Sequence, residues 1–429
     1  MSILFKNVCL PESCGFEGST VNILIKDDTI TYVGKDVSDE RADRIIEGNG
    51  NLVIPAFYNA HCHSAMTLFR GYGDDLPLQR WLNERIFPAE DRLNPERVYT
   101  GSLLAIAEMI KNGVVSFSDM YFFLDDTARA VEESGVRANL SRAVVSFDKD
   151  ADFSKDTRVL EAIDVFYRWH NKANGRIKID MSVHAEYTNV EGCVRYVAEV
   201  AKMLGTGLHI HASETIAEHN ECIERHGVTP IRFFERCGAL DVPVTAAHCV
   251  WVSDDDIRIM KERGVSVVHN PVSNLKLGSG IMPYRKMKQA GLNIALGTDG
   301  AASNNRLSIL REMQYAALIH KGAELDPALT CAGDMLKHAT RGGAIAQGRD
   351  DCGLVSEGMK ADLVLIDMQA FDNIPSYSCE SSLCYSASES NVLMTLCDGN
   401  ILYENGTYTS IDEELLRHNA KSVLSHYFD

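Results

Sequence analysis

Eight apolar, β-branched runs alternate with amphipathic stretches through the middle of this chain, and that alternation constrains the fold more than any other feature. The runs are LVIPAFYNA before His61, VVSFSDM ending at Met120, VRANLSRAVV ending at Val145, IKIDMSVH ending at His184, and then GLHIHAS, VPVTAAHC, VSVVHN and LNIALGTDG. Strands that alternate with helices in this way build repeated βα units around a parallel sheet. Pro95 opens one predicted helix and Gly113 lies just past its last residue, Lys111, as start and stop signals require. Further helices are predicted over 188–203 and 305–320. Eight such units predict an α/β fold, a (β/α)8 TIM-type barrel over residues 51–351.

The flanks follow another rhythm. Short alternating segments (ILFKNVCL, STVNILIKDD, TITYVGKD) fill the first fifty residues, and ADLVLIDM, NVLMTLCDGN and ILYENGTYT resume the style in the tail. The two chain ends, 1–50 and 352–429, are therefore predicted to form one small composite β-sandwich domain. At 429 residues, 45% of them hydrophobic, the chain has apolar material for both units.

In a barrel of this kind, residues just past the carboxyl ends of the strands converge on one face. The polar residues fall there: His61-Cys62-His63 after the first strand, His209-Ile210-His211 on the fifth, His248 on the sixth and Asp299 on the eighth. Alternation points His61 and His63 to the same side and Cys62 away from it. A lone strand-end histidine is more often structural than a ligand, but four strand ends carrying ligand types outweigh that explanation. Three imidazoles and a carboxylate suit one borderline divalent ion, Zn2+ first and Fe2+ or Mn2+ as alternatives, with a position open for water. Such an ion brings the pKa of water towards about 7 and so supplies a hydroxide nucleophile at neutral pH.

A net charge of −18 without a concentrated Lys/Arg patch argues against nucleic acid as partner. MSILFKNVCL does not read as a signal peptide, and no run reaches the roughly 18 apolar residues of a membrane helix, so no membrane partner is expected. Twelve scattered cysteines without a framework suit reduced thiols in the cytoplasm. The expected partner is a small molecule, and the expected assembly is a homo-oligomer.

The stretches PAFYNAHCHSAMTLFRGYGDDLPLQRWL, HIHASET, AAHCV, HNPVSNLKLGSG and GTDGAASNN resemble the amidohydrolase superfamily, and within it the deaminases of 5′-methylthioadenosine and S-adenosylhomocysteine. FSDMYFF and GLVSEGMKADLVLID fit the same pattern. The resemblance implies a single divalent ion held by His61, His63, His211 and Asp299, with His248 near the water; it selects His211 over His209, which is left structural. A bimetallic member commonly carries a bridging carboxylated lysine on the fourth strand, and this strand ends in Val183-His184. The implied reaction is hydrolytic removal of the 6-amino group of an adenosine-type nucleoside (S-adenosylhomocysteine, 5′-methylthioadenosine or another 5′-modified adenosine), giving the inosine analogue and ammonia.

Glu214 lies three residues after His211, about one turn onward, within reach of the same pocket and suited to general acid–base work. By resemblance, His248 stabilises the developing tetrahedral centre and Asp299 accepts a proton as ammonia leaves. His184 occupies a substrate-contact position and can donate to a purine nitrogen. Glu90 matches a residue that accepts from both hydroxyls of a cis-diol, Trp81 is read as a pocket wall or as a core or lid aromatic, and Arg142 as a counter-charge for an amino-acid carboxylate or as half of a structural ion pair. Whether a second arginine in FDKDADFSKDTR joins it is open. Ser303, Asn304 and Asn305 are read first as caps for the next helix.

Two rival functions stand beside this one. A related enzyme acting on guanine, a pterin or a triazine would share the metal centre but have no use for Glu90 as a diol clamp. A non-catalytic metal-binding scaffold would show gaps among the ligands, and none is present.

Overall fold

The computed structural model describes residues 1–15, 20–36, 42–425 and 427; the rest of the expected 1–50 and 352–429 segments lies outside the described residues. Eight parallel strands follow one another in chain order around the barrel: Phe57–Cys62, Val114–Tyr121, Arg137–Arg142, Ile177–Val183, Leu208–Ala212, Val244–His248, Ser266–His269 and Asn293–Leu296. The ring closes where the amides of Thr298 and Asp299 both donate to the His61 carbonyl, at 3.1 and 3.0 Å. Closure at this point brings the end of the eighth strand against the end of the first. Gly297 permits it, because a β-carbon there would sit 2.4 Å from Asn270 Oδ1 and 3.0 Å from His61 Cβ.

Helices cover the strands and bury one face each. Pro95–Lys111 forms as its signals require, with Asn94 accepting from the Arg97 amide as N-cap. The helix expected over 188–203 runs Glu191–Leu204. The one expected over 305–320 begins later, at Ile309, because Ser308 caps it by accepting from the Arg311 amide.

LVIPAFYNA is two strands rather than one. Leu52–Pro55 pairs antiparallel with Leu363–Ile366 outside the barrel, and only Phe57–Cys62 enters it. The chain ends form two sheets. In one, Ser2–Val8 lies between Val21–Lys26 and Arg44–Glu47, with Thr29–Gly34 at the edge; the other joins Leu52–Pro55 to Leu363–Ile366, Val392–Cys397, Asn400–Glu404 and Thr407–Tyr408. Ile3, Phe5 and Ile25 of the first sheet share a buried apolar core with Val53, Leu363 and Leu396 of the second, which makes the pair a sandwich. The tail also carries helices Cys379–Tyr385 and Glu413–Leu424, which its strand-like pattern does not announce.

A buried ion pair ties sandwich to barrel. Arg137, opening the third barrel strand, meets Asp362 at 2.8 Å and also contacts Asp398, while the Tyr58 hydroxyl donates to Asp362. Among the described residues no helix is long and apolar enough to cross a membrane.

Candidate metal centre and substrate cavity

The carboxyl ends of the strands bring His61, His63, His211 and Asp299 together. His61 Nε2 and His63 Nε2 lie 3.4 and 3.2 Å from Asp299 Oδ1, and His63 Nε2 is 3.3 Å from His211 Nε2. Each imidazole has its other nitrogen engaged from behind: His63 Nδ1 with the Met120 carbonyl at 2.6 Å, His211 Nδ1 with the His184 carbonyl at 2.7 Å, and His61 Nδ1 with His209 Nε2 at 2.9 Å. Three Nε2 atoms are thereby aimed inward. That of His61 is buried without a hydrogen-bond partner, an arrangement that costs free energy unless a ligand occupies the centre. Two overlapping donor groups, His61/His63/His211 and His61/His248/Asp299, converge closely enough to hold an ion, so the residues present fit a divalent cation.

The electrostatics favour the neutral form of His61 and His211 and the protonated form of His63 beside Asp299, so an ion would have to displace the His63 proton. Burial disfavours the charged form of His61 and brings its pKa down to about 4, while burial and neighbouring imidazoles hold His211 well below the usual range. Burial opposes charge on His63 too, but contact with Asp299 outweighs it and lifts the ring to about 9. Asp299 is likewise buried, yet His61 and His63 hold its carboxyl well below the ordinary carboxylate range. Asp299 also adopts a left-handed backbone, φ 61°, as does His248, φ 73°; such conformations in non-glycine residues persist only where surroundings enforce them.

Glu214 stands on the turn after the fifth strand. Its Oε2 lies 3.8 Å from His248 Nε2, and Oε1 accepts from the Ser279 hydroxyl at 3.3 Å. Burial raises its pKa above the usual glutamate value, with the nearby His248 working against the shift. The turn is fixed by Glu218, whose carboxylate accepts from the amides of Ser213 and Glu214 at 2.9 and 2.7 Å. His248 is oriented in turn by Asn274 Oδ1, 2.8 Å from its Nδ1.

A cavity of about 470 Å³ opens over these groups. His184, Glu90, Trp81 and Arg142 all line it, together with His63, His211, Glu214, His248 and Asp299. Burial and the charge of His63 keep His184 neutral, down to about 3, and burial pushes the Glu90 carboxyl up to about 7 against the pull of Tyr121. Trp81, 6% exposed, is at once cavity wall and part of a small apolar cluster with Leu78, Leu82 and Ile86. Arg142 faces the cavity yet is ion-paired with Glu161 at 2.7 Å and stacked over the Phe122 ring, 4.8 Å from its centroid.

Sequence reasoning left the second arginine open; the structure places Arg158 on the same cavity wall, donating to the Val145 carbonyl. It closes the stretch FDKDADFSKDTR, and its place as the second residue of the helix Thr157–Trp169 was the available signal. Glu218, Asn274 and Ser279 were also missed, although Glu218 follows Glu214 by one helical turn. Cys62 points away from the centre, its thiol 3.8 Å from Asp119.

The capping role expected of Ser303, Asn304 and Asn305 is corrected. Ser308 caps the helix instead, and Asn305 ends the short helix Ala301–Asn304. Ser303 donates to Asp299 Oδ2 at 3.0 Å, and Asn304 Nδ2 reaches the Thr298 carbonyl at 2.6 Å. They hold the ligand loop because the chain turns back on itself between Asp299 and the next helix.

Comparison with known proteins places these features in context. Residues 52–402 match the model of the amidohydrolase family. The chain is 45% identical, over 99% of both sequences, to a 5-methylthioadenosine/S-adenosylhomocysteine deaminase of Acetivibrio thermocellus. It is 42% identical to a 5′-deoxyadenosine deaminase of Methanosarcina acetivorans, covering 98% of this chain and 97% of that one. Among solved structures, an adenosine deaminase from Xanthomonas campestris with bound zinc superposes with a TM-score of 0.92 at 30% identity, over 99% of this chain and 98% of the other.

Proposed function

We propose, from the premise that this chain belongs to the amidohydrolase family, that it is a metal-dependent aminohydrolase of 5′-modified adenosines. It converts the 6-amino purine to the 6-oxo product and ammonia. The observation that carries this reading is the convergence of the His61, His63, His211 and Asp299 donor atoms beneath a cavity that holds Glu214 and Glu90. The similarity to deaminases of 5-methylthioadenosine, S-adenosylhomocysteine and 5′-deoxyadenosine supports the substrate class.

When bound, the divalent ion supplies a Lewis acid that makes water easier to deprotonate at neutral pH; zinc is proposed, in line with the zinc-bound relative. Everything else falls to side chains. Glu214, buried and with a raised pKa, takes a proton from the attacking water and delivers it to the ring nitrogen beside the carbon under attack. His248, held by Asn274, faces Glu214 across the reacting centre and stabilises charge developing there. Asp299 takes the remaining hydroxyl proton of the tetrahedral centre and passes it to the 6-amino group, which leaves as ammonia. Neutral His184 donates to a purine nitrogen, and Glu90 accepts from the ribose diol.

Leu78, Trp81 and Leu82 wall the cavity, and Arg142 and Arg158 flank the end left for the 5′ substituent. Residues 51–351 form the catalytic unit in this account and 1–50 with 352–429 the supporting one, with Leu52–Pro55 crossing over to the supporting sheet. All twelve cysteines are free thiols, which supports a cytoplasmic location.

The test is an ammonia-release screen with S-adenosylhomocysteine, 5′-methylthioadenosine, 5′-deoxyadenosine, adenosine, guanine and a chlorotriazine. The 5′-modified adenosines should lead the ranking; a lead for guanine or the triazine would transfer the chain to the rival function.

A further inference from the structure

Asp299 is held by more than its barrel strand. Its Oδ1 faces His61 and His63, and its Oδ2 is met by two hydroxyls, Ser273 Oγ at 2.6 Å and Ser303 Oγ at 3.0 Å. Those serines come from separate elements, the helix Pro271–Lys276 and the short helix Ala301–Asn304. Converging on one oxygen atom requires the two elements to be locked to each other.

Glu312 provides that lock. It sits in the first turn of Ile309–Glu324, with 0% of its surface exposed. One carboxyl oxygen accepts from Asn304 Nδ2 at 2.7 Å and the other from the Val272 amide at 3.1 Å. Val272 and Asn304 are the immediate chain neighbours of Ser273 and Ser303. Asn304 Nδ2 also reaches the carbonyl of Thr298, the residue before Asp299, at 2.6 Å. Arg311, the preceding residue, supplies a nearby positive charge, but burying an acid remains costly unless its hydrogen bonds are put to use. Here both oxygens are spent on the two segments that tether one ligand.

We propose that Glu312 is a positioning residue for Asp299, clamping the 272–273 and 303–304 segments so that both serine hydroxyls fix the carboxylate oxygen turned away from the ion. The inference rests on the reading of Asp299 as a metal ligand. Outer-shell partners of a ligand typically change metal affinity or activity by about 10- to 100-fold. Glutamine does not substitute cleanly, since its amide would face a donor at either Val272 or Asn304.

The test uses the zinc-loaded full chain and compares Glu312→Gln, the double variant Ser273→Ala/Ser303→Ala and the triple combination. Two readouts are taken: steady-state kinetics on 5′-methylthioadenosine and the rate at which EDTA strips the ion. Glu312→Gln should lower kcat by about 10- to 100-fold and hasten ion loss about 10-fold, with KM within about threefold. Because both sets of changes act through Asp299, the triple variant should be within about twofold of the double-serine variant. Fully additive losses would overturn the proposal. So would a double-serine variant with wild-type kcat and ion retention, a result that needs no Glu312 variant to fold. A wild-type chain that binds no ion would overturn the metal centre itself, and this inference with it.

Discussion

His209 Nε2 lies 2.9 Å from His61 Nδ1, directly behind the proposed ligand whose other nitrogen is buried without a hydrogen-bond partner. With Nε2 kept for an ion, Nδ1 carries the proton and donates to His209, so the second histidine sets both tautomer and ring orientation. His209→Ala should weaken zinc affinity by about 10- to 100-fold, and His209→Gln, which keeps an acceptor, should recover part of the loss. Competition against a chromophoric chelator measures this. Unchanged affinity in His209→Ala would leave His209 as packing alone.

Glu214 lies outside both converging donor groups, and its carboxylate contacts His248 and Ser279. Glu214→Gln should therefore retain its ion yet lose about 10²- to 10⁴-fold in kcat, the usual weight of general acid–base catalysis. Metal content and turnover are measured on the same sample. Near-normal turnover would remove Glu214 from proton transfer.

Glu90 lines the cavity but belongs to neither converging donor group, so its proposed contribution falls on binding. Glu90→Gln should raise KM for 5′-methylthioadenosine by about 10-fold, the scale of a hydrogen bond to a charged acceptor. The 2′-deoxy analogue should be affected much less. Equal changes for both would rule out the diol clamp.

The Arg137–Asp362 pair predicts how stability responds to acid. Asp362 is buried; its contact with Arg137 overcomes the burial penalty and lowers its pKa from 3.8 to about 2. A depressed carboxyl contributes stability that is complete above its unfolded pKa and lost as pH falls through the folded one. The midpoint of thermal unfolding should therefore fall between about pH 4 and pH 2, with about 2 kcal/mol at stake. Asp362→Asn should be destabilised at pH 7 by about 3 kcal/mol, having lost one of the two carboxylates, Asp362 and Asp398, that pair the buried Arg137, and should lose this part of the acid dependence. A variant as stable as the parent at pH 7 would contradict the role given to the pair.

The barrel and its candidate ligands were legible because both are local signals. A strand shows its run of apolar residues, and His61, His63, His211 and Asp299 each sit at the end of one. What supports them was not legible, because it comes from elsewhere in the chain. His209 faces His61 across 148 positions, and the Met120 carbonyl behind His63 is a backbone atom that any residue could supply. Glu312 resembles any acid in the first turn of a helix until Val272 is brought against it from 40 positions away. The misplaced helix start has the same origin, since Ser303 and Asn304 have capping chemistry but are drawn instead to Asp299 and Thr298. LVIPAFYNA misled because strands in two sheets are joined there by Ala56 alone.

In the proposed reading one ion, held by His61, His63, His211 and Asp299, enables this chain to deaminate a 5′-modified adenosine. Stepwise return of zinc to metal-free protein, followed by ammonia release from 5′-methylthioadenosine, tests it most directly. Release should rise linearly and level off at one ion per chain. A plateau at two ions, full release without any metal, or no ammonia at any ratio would contradict it.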